Sequence, residues 1–256
     1  MTSISRATTR YLERLRPRCF ADLVGQPKLT AALQRLVRRV RSGDQPFPPL
    51  LLVGRRDVGT EALASAMAHE LTAGDREAIR RVDVDGGLER QELVDHLELI
   101  NPRDVMIVEG VDTLDRSVRT RLLRAATEFK VRIAPSDSPD SDNTARRRLP
   151  LPEFSLVATA VREPDVGVGS DWNPVAVREY NTEELIGIID WCVDRLDIDI
   201  TDGAAFKLAR HSRGRARRLK VMLIRVLLES VEALSQKDQW LIEEWMVDEI
   251  YPPDEV

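Results

Sequence analysis

The chain has 256 residues, a formal net charge of −5 at pH 7, 43% hydrophobic residues and 32% charged residues. This composition indicates a folded chain with a core in one large or two smaller domains. The net charge argues against a general nucleic-acid binder and leaves a local basic face open. No apolar run of about 18 residues and no secretion signal is present, and the two cysteines and three histidines are scattered. We therefore expect a cytoplasmic protein without a metal site.

The first segments predict a basic loop and an amphipathic helix. Residues 11–26 begin with a basic stretch and continue through F-x-x-L-V-G-Q, which we interpret as a loop with a small apolar anchor. Pro27 favours a helix start near Lys28, and apolar residues at three- and four-residue spacing predict a helix over 28–41. Its outer arginines form either a solvated face or a surface for DNA or a partner: Arg35, Arg38, Arg39 and Arg41.

The segment 49–71 has the layout of a strand, a phosphate-binding loop and a helix. In a working P-loop, G-x-x-x-x-G-K-[ST], backbone N–H groups cradle phosphate, the lysine reaches the β- and γ-oxygens, and the hydroxyl holds Mg²⁺. Here Gly54 and Gly59 have the required spacing, but Thr60 replaces the lysine and Glu61 replaces the hydroxyl residue. The pattern therefore predicts the shape of a nucleotide cradle without its chemistry.

Alternating strands and helices are predicted for the central part of the chain. The predicted strands are 80–84, 104–109 and 154–160, and the predicted helices are 89–99 and 115–129. Residues 129–149 predict a long hairpin whose Ser/Pro/Asp-rich centre forms a polar tip. Three arginines on its second arm could hold a phosphate or form a solvated face: Arg146, Arg147 and Arg148.

The last part of the chain is predicted to be helical. Thr182 and Thr201 are placed to cap the first two helices, and further helices are predicted at 216–234 and 240–250. The basic cluster 210–220 is the strongest candidate for a contact with a phosphate backbone or an acidic partner. The members that we single out are Arg213, Arg215, Arg218 and Lys220.

Four motifs follow one another along the chain. They are R-P-R-x-F-x-x-L-V-G-Q from Arg16, the altered P-loop ending in A-M-A-H-E-L at Leu71, T-E-E-L from Thr182, and H-S-R-G-x-A-R-R from His211. Together they resemble the RuvB family of AAA+ ATPases, the bacterial Holliday-junction motors. The resemblance extends over nearly the whole chain.

The resemblance implies an α/β fold. A RecA-like AAA+ P-loop domain, with a parallel sheet flanked by helices, would occupy residues 1–178, and a small all-α lid domain would occupy 179–256. The hairpin at 129–149 corresponds to an insertion that docks the partner RuvA through apolar residues in the family, whereas its tip here is acidic and polar. The family has a third, winged-helix domain that binds DNA, and we expect this chain to lack it.

A nucleotide site with ADP or ATP as its ligand is also implied. On the adenine side the matching positions are Arg16, Pro17, Val24, Gly25, Tyr180 and, from the lid, Arg217. On the phosphate side they are Gly54, Arg55, Arg56, Gly59, Thr60, Glu61 and Glu109. The alternative is that these residues only hold the lid against the core, with Tyr180 packed in the hinge and Arg217 paired with an acid.

The positions that hydrolyse ATP in the family are altered. The Walker B Asp-Glu pair corresponds to Glu109 and Gly110, and glycine cannot act as a general base. The sensor 1 threonines correspond to Ala160 and Val161, and the segment 165–174 contains no arginine where the family has its arginine finger. Together with the altered P-loop, these changes predict a pseudo-ATPase with no catalytic residue.

We expect a non-hydrolysing subunit or adaptor in a protein or protein–DNA assembly of DNA replication, recombination, repair or defence. Its partner would be another protein, such as an active AAA+ or DNA-processing subunit, in an oligomer that could include DNA. Two alternatives remain. One is a DNA-binding protein that uses its arginine-rich helices directly, and the other is an AAA+ protein that binds ADP or ATP structurally with at most very slow hydrolysis.

Overall fold

The structure is a computed structural model of the chain and describes residues 3–43, 45, 47–84, 87–132, 148–163, 172–231 and 240–252. The tip of the predicted hairpin lies outside these residues, as do Arg146 and Arg147. Most of the segment 165–174, which corresponds to the arginine-finger segment of the family, also lies outside them. Among the described helices, none is long and apolar enough to cross a membrane.

Strands and helices alternate through the first two thirds of the chain, and helices dominate the last third. The strands are β1 (Leu50–Val53), β2 (Ile79–Asp83), β3 (Val105–Glu109), β4 (Lys130–Arg132), β5 (Arg148–Pro150), β6 (Ser155–Ala160), β7 (Asn173–Ala176), β8 (Asp199–Ile200) and β9 (Leu241–Ile242). The described helices are α1 (Ser3–Arg14), α2 (Pro27–Arg41), α3 (Thr60–Leu71), α4 (Arg90–Glu98), α5 (Arg116–Glu128), α6 (Thr182–Leu196), α7 (Asp202–Ser212), α8 (Ala216–Glu229) and α9 (Glu244–Ile250).

A five-stranded parallel sheet in the order β2-β3-β6-β1-β7 is the centre of the first domain. Successive side chains of a strand point to opposite faces, and both faces are apolar here. Leu51 and Val108 pack into a cluster with residues of α4 and α5, whereas Leu52 and Ile107 pack with residues of α2 and α3. The predicted parallel sheet flanked by helices is therefore confirmed.

The helices α6 to α9 enclose the second apolar core of the molecule. The first helix of the chain packs against this core as well, because Leu15 is buried in it and Tyr11 and Leu12 lie against it. The prediction of a loop over residues 11–14 is therefore wrong: these residues belong to α1, whose apolar side chains lie against the lid.

Further details differ from the sequence prediction. Leu241 and Ile242, predicted to be helical, form β9, which pairs in parallel with β8. Asn181, not Thr182, caps α6: its Oδ1 accepts from the Glu184 backbone N–H at 2.8 Å, because the capping residue must precede the first helical turn in an extended conformation. The strand β7 was not predicted. It is an edge strand, the position in a sheet where its Pro174 is tolerated.

Candidate nucleotide site

The loop between β1 and α3 has the backbone geometry of a phosphate-binding loop. Gly59 immediately precedes α3 with φ of +102°, a left-handed conformation that glycine adopts without steric cost. A Cβ atom at Gly54 would lie 2.8 Å from the carbonyl oxygen of Val177, so this position also requires glycine. The predicted order of strand, loop and helix is confirmed.

A cleft of about 500 Å³ lies over this loop and the carboxyl ends of β3 and β6. Open α/β sheets bind their ligands outside the carboxyl ends of the strands, so the cleft is in the expected place. Most of the predicted phosphate-side residues line it, together with two from the adenine side: Gly54, Arg55, Arg56, Thr60, Glu61, Glu109, Arg16 and Arg217.

The lid contacts the P-loop through one ion pair and one backbone hydrogen bond. Arg217 Nη1 donates to both carboxylate oxygens of Glu61, at 2.5 and 2.6 Å, and the Arg217 backbone N–H donates to the Asp57 carbonyl oxygen at 3.0 Å. Glu61 lies in the first turn of α3, where the helix dipole favours a negative charge. The first turn of α3 therefore carries a carboxylate that is paired with a lid arginine.

The Walker B position is engaged by an arginine. Arg81 on β2 donates from Nη1 to Glu109 Oε1 at 3.3 Å and from Nη2 to Ser65 Oγ at 2.9 Å. Burial raises the pKa of Glu109, and the nearby Glu61 raises this pKa further against the attraction of Arg81 and Arg16. Burial also lowers the pKa of Arg81. The side chain of Glu109 is thus held by a protein cation.

Arg81 and Ser65 were missed by the sequence analysis. The available signal was the pair of arginines at the start of β2, since strands of a parallel sheet are mostly apolar. No cluster of three or more potential metal-ligating His, Cys, Asp or Glu side chains is found within the described ranges.

The residue after the Walker B position contributes only its backbone. The Gly110 N–H donates to the Thr159 carbonyl oxygen at 3.0 Å and contacts its Oγ1 at 3.3 Å. Asp112, on a short 3-10 helix, accepts from the Val161 backbone N–H at 3.2 Å. These hydrogen bonds connect the end of β3 to the end of β6.

Tyr180 lies in the hinge between two glycines. A Cβ atom at Gly25 would lie 2.9 Å from Tyr180 Cε1, and one at Gly59 would lie 3.3 Å from the Tyr180 hydroxyl oxygen. Burial raises the pKa of the Tyr180 phenol. Val24 packs against the lid core. Val24, Gly25 and Tyr180 thus pack against one another or against the lid in the hinge.

A small pocket of about 100 Å³ lies beside the hinge, between α1 and α8, and Arg16 and Pro17 line it. The Pro17 carbonyl oxygen accepts a hydrogen bond from Ser65 Oγ at 3.2 Å. Ligand pockets are generally larger, roughly 300 Å³ or more. The space on the adenine side is therefore smaller than that on the phosphate side.

Only part of the predicted basic contact surface is exposed. Lys220 Nζ donates to the Leu15 carbonyl oxygen at 2.9 Å and lies 4.8 Å from the centroid of the Trp191 ring, and burial lowers the pKa of Lys220. The prediction that Lys220 contacts DNA or a partner is wrong, because its ammonium group holds α1 against α8. Arg215 is half-buried. The exposed members are Arg148, Arg213 and Arg218.

Comparison with known proteins identifies relatives of the chain. Residues 15–168 match the family model of the Holliday junction DNA helicase RuvB P-loop domain. The Holliday junction branch migration complex subunit RuvB of Solibacter usitatus is 29% identical over 217 residues, which are 83% of this chain and 60% of the relative. That of Bifidobacterium adolescentis is 29% identical over 223 residues, which are 84% of this chain and 58% of the relative. The chain thus spans about three fifths of the length of these relatives.

Solved structures have the same fold. The RuvB Holliday junction branch migration motor of Thermotoga maritima superposes with a TM-score of 0.70 at 20% identity, over 93% of this chain and 73% of the other. A variant of that protein gives a TM-score of 0.73 over 94% and 76%. This likeness shows a RecA-like AAA+ P-loop fold. Since the family model covers more than half of the sequence, the chain belongs to the RuvB P-loop domain family.

Proposed function

We propose that this chain is a RuvB-like AAA+ protein that does not hydrolyse ATP and that acts as a non-hydrolysing subunit or adaptor in a protein or protein–DNA assembly. The ion pair between Glu61 and Arg217 is the observation that carries the proposal. Arg217 is the lid residue that the family resemblance assigns to nucleotide sensing, and here its charge is neutralised by a carboxylate of the P-loop. The lid can therefore close on the core without a nucleotide.

Electrostatics in the cleft oppose a nucleoside triphosphate. Glu61 and Glu109 both line it, and their carboxylates repel phosphate oxygens near the same backbone amides. Two of the nearby cations are already engaged, since Arg81 pairs with Glu109 and Arg217 pairs with Glu61. A phosphate would have to displace these ion pairs before it gained the attraction of the arginines.

Several of the chemical groups that ATP hydrolysis requires are replaced in this chain. Thr60 has no ammonium group for the β- and γ-phosphates, and Gly110 has no group that could take a proton from water. Losing one such part slows an ATPase, and losing several leaves no route for the reaction. We therefore assign no catalytic residue to this chain.

The kind of assembly is inferred from the relatives, which are described as subunits of a Holliday junction branch migration complex. A chain that has the fold of such a subunit without its chemistry can present surfaces to an active neighbour. We propose that its partner is another protein, such as an active AAA+ or DNA-processing subunit, in an oligomer that works in DNA replication, recombination, repair or defence in the cytoplasm.

A second candidate is an AAA+ protein that uses ADP or ATP as a structural ligand. The cleft of about 500 Å³ over the P-loop favours it, because this volume lies within the range of ligand pockets. Glu109 would then leave Arg81 and become a metal ligand, which its carboxylate oxygens permit.

Thermal unfolding and ATP turnover distinguish these candidates. We expect millimolar ATP or ADP with Mg²⁺ to leave the unfolding midpoint of the wild-type protein unchanged and to give no measurable phosphate release. The double substitution Thr60→Lys and Glu61→Ser should restore the P-loop pattern and release Arg217. A ligand at 100 times its Kd stabilises a fold by about 2.7 kcal/mol, so the double variant should show a rise of several degrees with nucleotide.

The matched control is Glu229→Gln, which breaks an exposed ion pair with Arg225 on the same helix as Arg217 and should leave the nucleotide response unchanged. A nucleotide-dependent rise in the wild-type midpoint without turnover would favour the structural-ligand candidate. Turnover by the wild-type protein that disappears in Glu109→Gln would overturn the proposal.

A further inference from the structure

A second cleft, of about 390 Å³, shares Arg16 with the nucleotide site, and five of its eight lining residues are arginines. We call its exposed arginines the arginine cleft: Arg14, Arg16, Arg18 and Arg76. They come from the end of α1, from the segment that follows it and from the turn before β2. His69 and Arg81 form the inner wall, and the lining carries a single carboxylate, that of Glu13.

Within the described part of the chain no carboxylate forms an ion pair with the arginine cleft, although Arg16 also lies near enough to Glu109 to lower its pKa. None of its four guanidinium groups forms an ion pair or a side-chain hydrogen bond there. Burial lowers the pKa of His69, and the positive charges of Arg81, Arg76, Arg18 and Arg16 lower it further. Cations from three segments of the chain therefore converge on one space.

The positive surface continues along the first helix. Arg6, Arg10 and Arg14 follow one another at four-residue intervals on an exposed face of α1. Residues at this spacing lie on one side of a helix, about 6 Å apart along its axis. The arginines of α1 and of the arginine cleft thus form an extended track rather than an isolated anion site.

We propose that this track binds the phosphodiester backbone of a nucleic acid. Arginine is suited to phosphate because its planar guanidinium group donates two hydrogen bonds at once. An extended row of such groups fits a polymer of phosphates better than a single small anion. The lining has one apolar side chain, Ile79, whereas protein interfaces depend on aromatic and apolar anchors. The contact is independent of base sequence, since it reaches only the backbone.

Fluorescence anisotropy with a labelled 30-base-pair duplex and a labelled 30-nucleotide single strand tests this proposal without nucleotide. We expect Kd values of roughly 1 to 100 μM near physiological salt, rising steeply with salt concentration. The triple variant Arg14→Gln, Arg18→Gln and Arg76→Gln should bind at least tenfold more weakly. For the duplex, the slope of log K against log salt should become shallower by about 2 to 3.

A control triple variant carries the same change of net charge on other surfaces: Arg103→Gln, Arg116→Gln and Arg124→Gln, all three being exposed. We expect it to lose less than twofold in affinity. An equal loss in the two triple variants would overturn the proposal, because binding would then depend only on total charge. Replacement of the same cleft arginines by lysine keeps the charge but not the paired hydrogen bonds, so it should lose clearly less affinity than replacement by glutamine. A loss as large as with glutamine would overturn the proposal, because binding would then not depend on the charge of the cleft.

Competition distinguishes the sources of phosphate. We expect sodium tripolyphosphate and polyglutamate to displace the oligonucleotide only at millimolar concentration. Displacement by micromolar tripolyphosphate would overturn the proposal in favour of a small-anion site, and displacement by micromolar polyglutamate would overturn it in favour of an acidic protein partner. The proposed lack of ATP hydrolysis is unaffected by any of these outcomes.

Discussion

Glu184 joins three parts of the hinge between the two domains. Its carboxylate accepts from the two Nη atoms of Arg178 at 2.7 and 2.8 Å, from the Gln26 backbone N–H at 2.8 Å and from the Asn181 backbone N–H at 3.1 Å. These contacts lower the pKa of Glu184 from 4.5 to about 2, and the hydrogen bonds from Arg178 have the largest effect. Because the folded pKa lies below the unfolded one, the carboxylate stabilises the fold above about pH 4.5, and this contribution is lost as the pH falls towards 2.

The substitution Glu184→Gln keeps an oxygen for the Gln26 N–H and removes the charge. We expect it to lower the free energy of unfolding by about 1 kcal/mol at pH 7, a value that allows for solvent screening of the half-exposed Arg178. The difference from wild type should shrink between pH 5 and pH 2, as followed by urea unfolding. Glu183→Gln in the same helical turn is the control and should have little effect. A difference that stays constant down to pH 2 would contradict the assigned pKa.

The position of a residue at a fixed offset within a motif could be predicted from the sequence. The contacts of a residue whose partner lies on a neighbouring strand could not. Glu61 stands at a defined position after Gly59, so its place in the first turn of α3 followed from the motif. Arg81 reaches Glu109 because β2 and β3 pair in parallel, and no local pattern shows which strands become neighbours. Lys220 was misassigned for the same reason, since its partner Leu15 lies 205 positions away.

At the scale of secondary-structure elements, the bounds of the central strands and helices could be predicted from the sequence. The predicted strands and helices of the central sheet agree with the structure to within one residue at each end, because short strand patterns and amphipathic helices alternate between turn residues in this part of the chain. The strand β7 has only four residues, with a proline, and becomes a strand by pairing with β1 at the sheet edge. The helix α1 is rich in threonine and arginine and is held by its contacts with the lid.

The attachment of α1 to α8 can be tested at Lys220. In Lys220→Met the Leu15 carbonyl oxygen loses its donor, which costs about 1 to 3 kcal/mol, and part of this cost is offset because a buried charge is removed. We therefore expect a net loss of about 1 kcal/mol, together with trypsin cleavage within α1 that is several times faster than in wild type. Lys207→Met breaks ion pairs between α7 and α9 instead and should leave cleavage of α1 unchanged. Unaltered cleavage in Lys220→Met would show that apolar contacts alone hold α1.

At the scale of the whole molecule, three sets of contacts join the lid to the core. Arg217 binds both a carboxylate and a carbonyl oxygen of the P-loop, Arg55 of the P-loop pairs with Glu179 at 3.2 Å, and Tyr180 fills the hinge. In an enzyme that cycles, the ligand must bind the closed form better than the open form to drive closure. In this chain the carboxylate of Glu61 pairs with Arg217, and under the proposed function this pair takes the place of a bound nucleotide in holding the lid closed.

This arrangement predicts the behaviour of the Arg217 backbone N–H, which donates to Asp57 across the interface between lid and core. Its hydrogen exchange reports opening of the lid. We expect ADP or ATP with Mg²⁺ to leave this exchange unchanged in the wild type, and Glu61→Ala to speed it. An exposed ion pair contributes up to about 1 kcal/mol, which corresponds to roughly fivefold faster opening.

Glu229→Ala on the same helix is the control, because it breaks the pair with Arg225 without touching the interface, and it should leave the Arg217 exchange at the wild-type rate. If Glu61→Ala exchanged at the wild-type rate as well, the lid would be held by Tyr180 and the backbone contact, and the carboxylate would not be the group that replaces the nucleotide. If nucleotide slowed exchange in the wild type, closure would still respond to a ligand, and the chain would be a nucleotide sensor rather than a permanently closed subunit.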